Sequence, residues 1–194
     1  KKFKAAFVGA KIFYAIKANP AAPVLKKLVS LGSNFDAASL VEIEECLAAG
    51  ADPGRISYGN TIKKQCDIKS AYDRGVRLFA FDSKEELKKL KIAAPGSKVF
   101  CRVLTTNKGA NWPFIGKFGC SLPMAVDLLI IAREWGLNAF GLSFHVGSQQ
   151  TKISGWEKAI ERIAPIFIKL REKGINISML NLGGGFPIPY RCLL

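Results

Sequence analysis

The sequence predicts an α/β fold of the TIM (β/α)8-barrel type. Three features lead there: strand-like and helix-like segments alternate along the chain, glycines and capping residues punctuate the helices, and polar residues gather where the strands end. With 194 residues, 49% of them apolar and 23% charged, the chain is long enough to bury one sizeable core.

The elements follow from period and composition. Short β-branched or aromatic runs mark strands at residues 11–18 (KIFYAIKA), 33–39 (SNFDAAS), 55–60 (RISYGN), 77–83 (RLFAFDS), 98–104 (KVFCRVL), 138–146 (NAFGLSFHV) and 177–184 (ISMLNLGG). Between them, apolar residues recur with helical spacing in 23–32, 40–50, 63–75, 84–94, 124–136 and 156–174. Ser39 with Glu42 and Ser83 with Glu86 have the spacing of capping boxes, and Gly32, Gly50, Gly75, Gly136 and Gly174 stand where a left-handed C-cap belongs. Units of this length imply parallel strands joined by right-handed crossovers.

The polar residues separate a barrel from a doubly wound sheet. Lys17, Asp36, Asn60, Asp82, Arg102, His145 and the run Gly183 to Gly185 each close a different strand, as barrels arrange their functional residues. A doubly wound sheet would concentrate them at one crevice, and no GxGxxG motif opens a helix. Seven strands fall short of the eight a closed barrel needs, so the barrel is expected to be incomplete at both ends of this chain. Residues 1–190 form the expected partial barrel domain and 191–194 an unmatched tail.

Charge and cysteine content narrow the function classes. The net charge of +14 invites a nucleic-acid reading, but the lysines fall in pairs (Lys26-Lys27, Lys63-Lys64, Lys88-Lys89) along expected helix faces, without interleaved aromatics. Neither a nucleic-acid partner nor a membrane partner is expected, since no apolar run approaches the roughly 18 residues that span a bilayer. Cys46, Cys66, Cys101, Cys120 and Cys192 lack CxxC spacing and read as free, mostly buried thiols, and with one histidine no metal site is expected. A cytoplasmic location is the expectation.

Several strand ends offer chemistry. Lys17 follows the apolar run Ile12 to Ile16, where desolvation would suit an amine to Schiff-base chemistry, although a snorkelling rim lysine fits that position nearly as well. His145 ends a strand beside small residues and reads either as a core histidine or as a ring facing a ligand. The run Leu182 to Phe186 (LGGGF) reads equally as a flexible loop or as a backbone cradle for an anion. Asp36 and Arg102 read as a rim ion pair or as groups that hold a polar ligand.

Taken in order, FYAIKANP, SNFDAAS, RISYGNTIK, FAFDS, KFG, SFHVGSQ and LNLGGGF resemble the pyridoxal-phosphate-dependent ornithine, lysine, arginine and diaminopimelate decarboxylases with an alanine-racemase-like barrel. The wording APVL, YGN, WP before KFG, and SFHVGSQQ is most similar to the ornithine and ornithine/lysine branch. The resemblance implies pyridoxal 5'-phosphate as cofactor and two catalytic residues. Lys17 would carry the cofactor as a Schiff base and His145 would stack on its ring. It also implies cofactor contacts from Asp36, Arg102, Ser148, Gly184 and Gly185, a basic amino acid (ornithine, lysine or both) as substrate, a place in polyamine biosynthesis, and a homodimer.

The match has gaps. The family's β-rich second domain, its EPGR-type phosphate loop, the acidic partner of the pyridine nitrogen and a Cys-Asp pair from the dimer interface have no counterpart in the sequence. Phe114-Ile115-Gly116 before Lys117 departs from the family wording, as do Lys108 and Asn111, where acidic residues would be expected. Alternatives are therefore a noncatalytic, antizyme-inhibitor-like homologue that acts by binding a protein, or a single-domain racemase or cofactor carrier.

Overall fold

The structure is a computed structural model that describes residues 5–106, 108–112 and 117–189. The departure at Phe114 to Gly116, Cys192 and the tail 191–194 lie outside the described residues. The chain divides into two compact units, one of Lys1–Phe81 with Glu85–Val99 and the other of Asp82–Lys84 with Phe100–Leu194.

In the first unit, β1 (Phe13–Ala15), β2 (Asn34–Ala37), β3 (Ile56–Tyr58) and β4 (Leu78–Phe81) alternate with α1 (Ala22–Ser30), α2 (Leu40–Ala48) and α3 (Gln65–Asp73). The strands pair in parallel and in sequence order, with Ala15 opposite Asp36, Asp36 opposite Ser57, and Tyr58 opposite Phe79. The start of β5 (Lys98–Arg102) continues the ladder, the Lys98 amide donating to the Arg77 carbonyl at 2.9 Å. The strands are short; β2 alternates the buried Phe35 and Ala37 with the half-buried Asn34 and Asp36, while β3 is buried throughout. Phe35, Ile56, Phe79 and Phe81 are fully buried, against Ile43 and Cys46 of α2, Ile68 of α3, and Leu87 and Leu90 of α4 (Lys84–Ala93).

In the second unit, the end of β5 lies beside β7 (Asn138–Ser143) through the Val103 amide, which donates to the Ser143 carbonyl at 2.8 Å. β7 pairs in parallel with β9 (Met179–Asn181). α5 (Leu122–Glu134) and α6 (Ser154–Glu172) connect these strands, burying Leu128, Leu129, Ile163, Ile166 and Leu170. All seven strands expected from the sequence are present. A further pair is new: β6 (Ala110–Trp112) and β8 (Ser148–Gln150) run antiparallel to each other.

Helix ends follow the sequence chemistry at the Ser39 cap and at the C-terminal glycines. The Glu42 amide donates to Ser39 Oγ at 3.3 Å, while the Glu42 carboxylate reaches the Ala38 amide at 2.6 Å, closing the box one residue further out than its usual form. The five expected C-terminal glycines all have positive φ. The carboxylate of Glu86, which the sequence pairs with Ser83, meets two lysines.

Those lysines correct the surface reading of the Lys63-Lys64 pair, because Lys63 is buried at 4% exposure. Its ammonium donates to the carbonyls of Asn60 at 2.8 Å and Ala80 at 2.6 Å and lies 2.9 Å from Glu86 Oε1 as an ion pair. Lys89 Nζ lies 2.5 Å from Glu86 Oε2 and also donates to the Lys63 carbonyl. Cys66 is likewise exposed where a buried thiol was expected.

Two expected outcomes concern this unit's stability. Lys63→Met strips the buried Glu86 carboxylate of its main partner and should cost about 3–5 kcal/mol in urea unfolding, whereas Lys63→Met combined with Glu86→Leu should recover most of that loss. Burial, reinforced by neighbouring carboxylates, pushes the Cys46 thiol from 9.0 up to about 12 and the Tyr58 hydroxyl from 10.0 up to about 12. Both folded groups hold their protons more tightly than the unfolded chain does, so their contribution is complete below pH 9 and is lost as pH climbs toward 12. Urea midpoints measured across that range should fall with pH, and Cys46→Ala should flatten the fall.

Candidate functional site

The residues expected at the site are built into each unit by backbone geometry. In the first unit, Lys17 sits in a single 3-10 turn, Ile16–Ala18, directly after β1. The turn is held by the Asn19 amide on the Ile16 carbonyl at 3.0 Å, and Asn19 Oδ1 accepts from the Ala21 amide at 3.0 Å. Lys17 is exposed, so the desolvation expected for it is absent. Among the described residues its ammonium has no carboxylate partner.

Asp36 lies inside β2, half-buried, with Oδ1 sealed from solvent. It packs so closely on Gly59, the residue after β3, that a methyl group there would overlap the carboxylate. The glycine of the YGN segment is therefore required by the neighbouring aspartate. Asn60 turns out to shape the loop, its side chain accepting from the Ile62 amide and its carbonyl from Lys63.

In the second unit, Asp82 Oδ2 accepts from the Gly119 amide at 2.8 Å and so anchors the end of the KFG segment. Arg102 closes β5, with its guanidinium 5.3 Å from the Phe118 ring centroid. On either side of Arg102 in the fold, Cys101 Sγ and Cys120 Sγ approach to 3.4 Å, a pairing that sequence spacing did not suggest. Burial pushes the Cys101 thiol up, while its hydrogen bond lowers Cys120.

His145 lies two residues beyond β7. Its Nδ1 accepts from the Gly147 amide at 3.0 Å, and its carbonyl accepts from Thr105 Oγ1 at 2.8 Å. An Nδ1 that accepts carries no proton, so the ring is neutral with its hydrogen on Nε2. Ser148 opens β8, opposite Trp112.

The glycine run then folds against this segment. Gly183 and Gly185 have φ of +69° and +89°, with Gly184 between them outside the left-handed region. A methyl group on Gly185 would overlap the Gly147 carbonyl, whereas one on Gly184 would meet nothing within 4 Å. The Gly183 amide donates to Asn181 Oδ1 at 2.8 Å. Among the described residues, the Gly184 and Gly185 amides donate to no protein acceptor. Adjacent unspent amides in a tight glycine turn are what a phosphate monoester needs, so the residues present fit the phosphate of pyridoxal phosphate.

The family model for the pyridoxal-binding domain of pyridoxal-dependent decarboxylases matches residues 1–192. The chain belongs to this family. It is 39% identical to the lysine/ornithine decarboxylase of Selenomonas ruminantium over 93% of this chain and 46% of that protein. It is 36% identical to antizyme inhibitor 2 of Xenopus laevis over 96% of this chain and 41% of that protein. The lysine decarboxylase of Selenomonas ruminantium, solved with pyridoxal phosphate and cadaverine, superposes with a TM-score of 0.89 at 38% identity, covering 96% of this chain and 47% of that one. The α/β fold is thus that of the decarboxylase barrel, and the chain spans about half the length of the relatives it matches. Among the described residues no helix is long and apolar enough to cross a membrane.

The glycine run makes separable demands on this pyridoxal-binding family domain. Gly185→Ala should cost about 1–3 kcal/mol, because it forces a left-handed alanine into an occupied space. Gly184→Ala should change thermal unfolding by less than about 0.5 kcal/mol. Equal losses at both positions would contradict the packing described here.

Proposed function

We propose that the protein carrying this chain decarboxylates a basic amino acid, lysine or ornithine, to its diamine with pyridoxal 5'-phosphate bound covalently to Lys17. The observation that carries this reading is the unspent pair of amides at Gly184 and Gly185, folded against His145 and Gly147. Similarity to lysine/ornithine decarboxylase supports the substrate class, and a cytoplasmic, homodimeric enzyme of diamine and polyamine formation is the corresponding whole.

The chain's own residues would divide the work. Lys17, exposed on a rigid turn, offers an amine unencumbered by an ion pair to the cofactor's aldehyde. Gly184 and Gly185 donate to the phosphate, joined by the hydroxyl of Ser148. His145, neutral and fixed by Gly147, presents a flat ring without adding a positive charge. Asp36 and Arg102 supply the charged groups expected near the cofactor ring. When bound, the cofactor supplies an electron sink for the carbanion left by carbon dioxide.

Similarity to antizyme inhibitor 2 favours a second reading, a homologue that acts by binding a protein. The two readings differ in cofactor and turnover. Full-length protein incubated with pyridoxal phosphate should develop an absorbance band near about 420 nm that Lys17→Ala abolishes. Carbon dioxide release from lysine and ornithine, exceeding that from arginine, is expected from the decarboxylase. A band that survives Lys17→Ala would refute the assignment of Lys17, and a band without turnover would favour the second reading.

A further inference from the structure

The glycine run is braced from β8 by the glutamine that ends the SFHVGSQ segment, a residue to which the proposed cofactor contacts assign no role. Gln149 is buried at 8% exposure and has φ of +52°, the one left-handed non-glycine residue among those described. Such a conformation is unfavourable for a side chain larger than hydrogen and persists where the surroundings hold it. What holds it is a two-point contact 39 residues away. Gln149 Nε2 donates to the Ile188 carbonyl at 2.8 Å, and Gln149 Oε1 accepts from the Ile188 amide at 2.9 Å.

The next residue adds a third tie, the Gln150 amide donating to the Gly185 carbonyl at 2.8 Å. Between the two anchored positions, the Phe186 ring stacks on Trp156 with centroids 5.3 Å apart and planes 15° from parallel. Gln150 is itself fixed, its Nε2 donating to the Val146 carbonyl at 3.1 Å and its Oε1 accepting from the Lys152 amide at 3.0 Å. Loops rich in glycine sample many conformations unless tied, so amides that are to meet an anion need such restraint.

We infer that Gln149 is a positioning residue that holds the Gly183 to Gly185 loop in its anion-binding shape through its paired contacts with Ile188. The inference rests on the proposed role of that loop in binding the cofactor phosphate. It predicts that Gln149 contributes to the discrimination between pyridoxal phosphate and pyridoxal, which lacks the phosphate, while leaving recognition of the rest of the molecule intact.

Gln149→Gly separates positioning from stability, because glycine accepts positive φ without strain but cannot bridge to Ile188. Affinities of full-length protein for both compounds, read from the absorbance of the bound form, together with the thermal midpoint, are the measurements. Pyridoxal phosphate should bind roughly tenfold more weakly, a change on the scale of one or two hydrogen bonds, with pyridoxal binding and thermal midpoint close to those of the parent. Ile188→Pro, at an exposed position, removes the amide that Gln149 Oε1 accepts and should reduce the same preference. Retention of the parent's preference by both variants overturns the inference, as does equal weakening of both ligands. A parent that shows no preference overturns the phosphate reading itself, so the two failures are distinguishable.

Discussion

A buried lysine ammonium needs compensating polar partners, and Lys63 finds them in three parts of the first unit. Its contacts join the loop after β3 through Asn60, the end of β4 through Ala80, and α4 through Glu86. Desolvating an ion pair is costly, and the cost is offset only when geometry and supporting hydrogen bonds are good. The arrangement therefore tolerates little movement at the ends of β3 and β4. Gly59, which must leave room for the Asp36 carboxylate, immediately precedes this braced loop. The burial of Lys63 and the seating of Asp36 are consequences of one local constraint.

Much of the fold was legible because its strands and helices obey local rules. Apolar runs such as LFAF, the Ser39 cap and the helix-ending glycines each act over a few residues, the range at which sequence patterns speak. Lys63 was misread for the opposite reason. A lysine beside another lysine at a helix start looks solvated, and only the return of α4, 23 residues later, supplies the carboxylate that lets it be buried. β6 and β8 escaped notice because each has three residues and their partners lie about 40 positions apart. Gln149 carries no signal of its left-handed backbone, since that conformation depends on Ile188.

The second unit shows how polar groups divide between holding the site and being available to it. His145 uses Nδ1 to accept from Gly147, which fixes both the ring and its tautomer. Gly147 in turn lies against Gly185, so histidine and glycine run share one packing contact. Asp82, which the sequence placed among candidate functional residues, is committed to the Gly119 amide and serves the scaffold.

Lys17 presents the reverse case. Its sequence position suggested an amine activated by burial, yet the side chain is exposed. What the fold controls is the backbone beneath it: β1 lasts three residues, the 3-10 turn follows at once, and Asn19 closes the turn with backbone and side chain alike. Tyr14 adds a hydroxyl donor to the Asn19 carbonyl at 3.3 Å, tying the strand to the end of the turn. The backbone, held at both ends of the turn, sets where the amine stands.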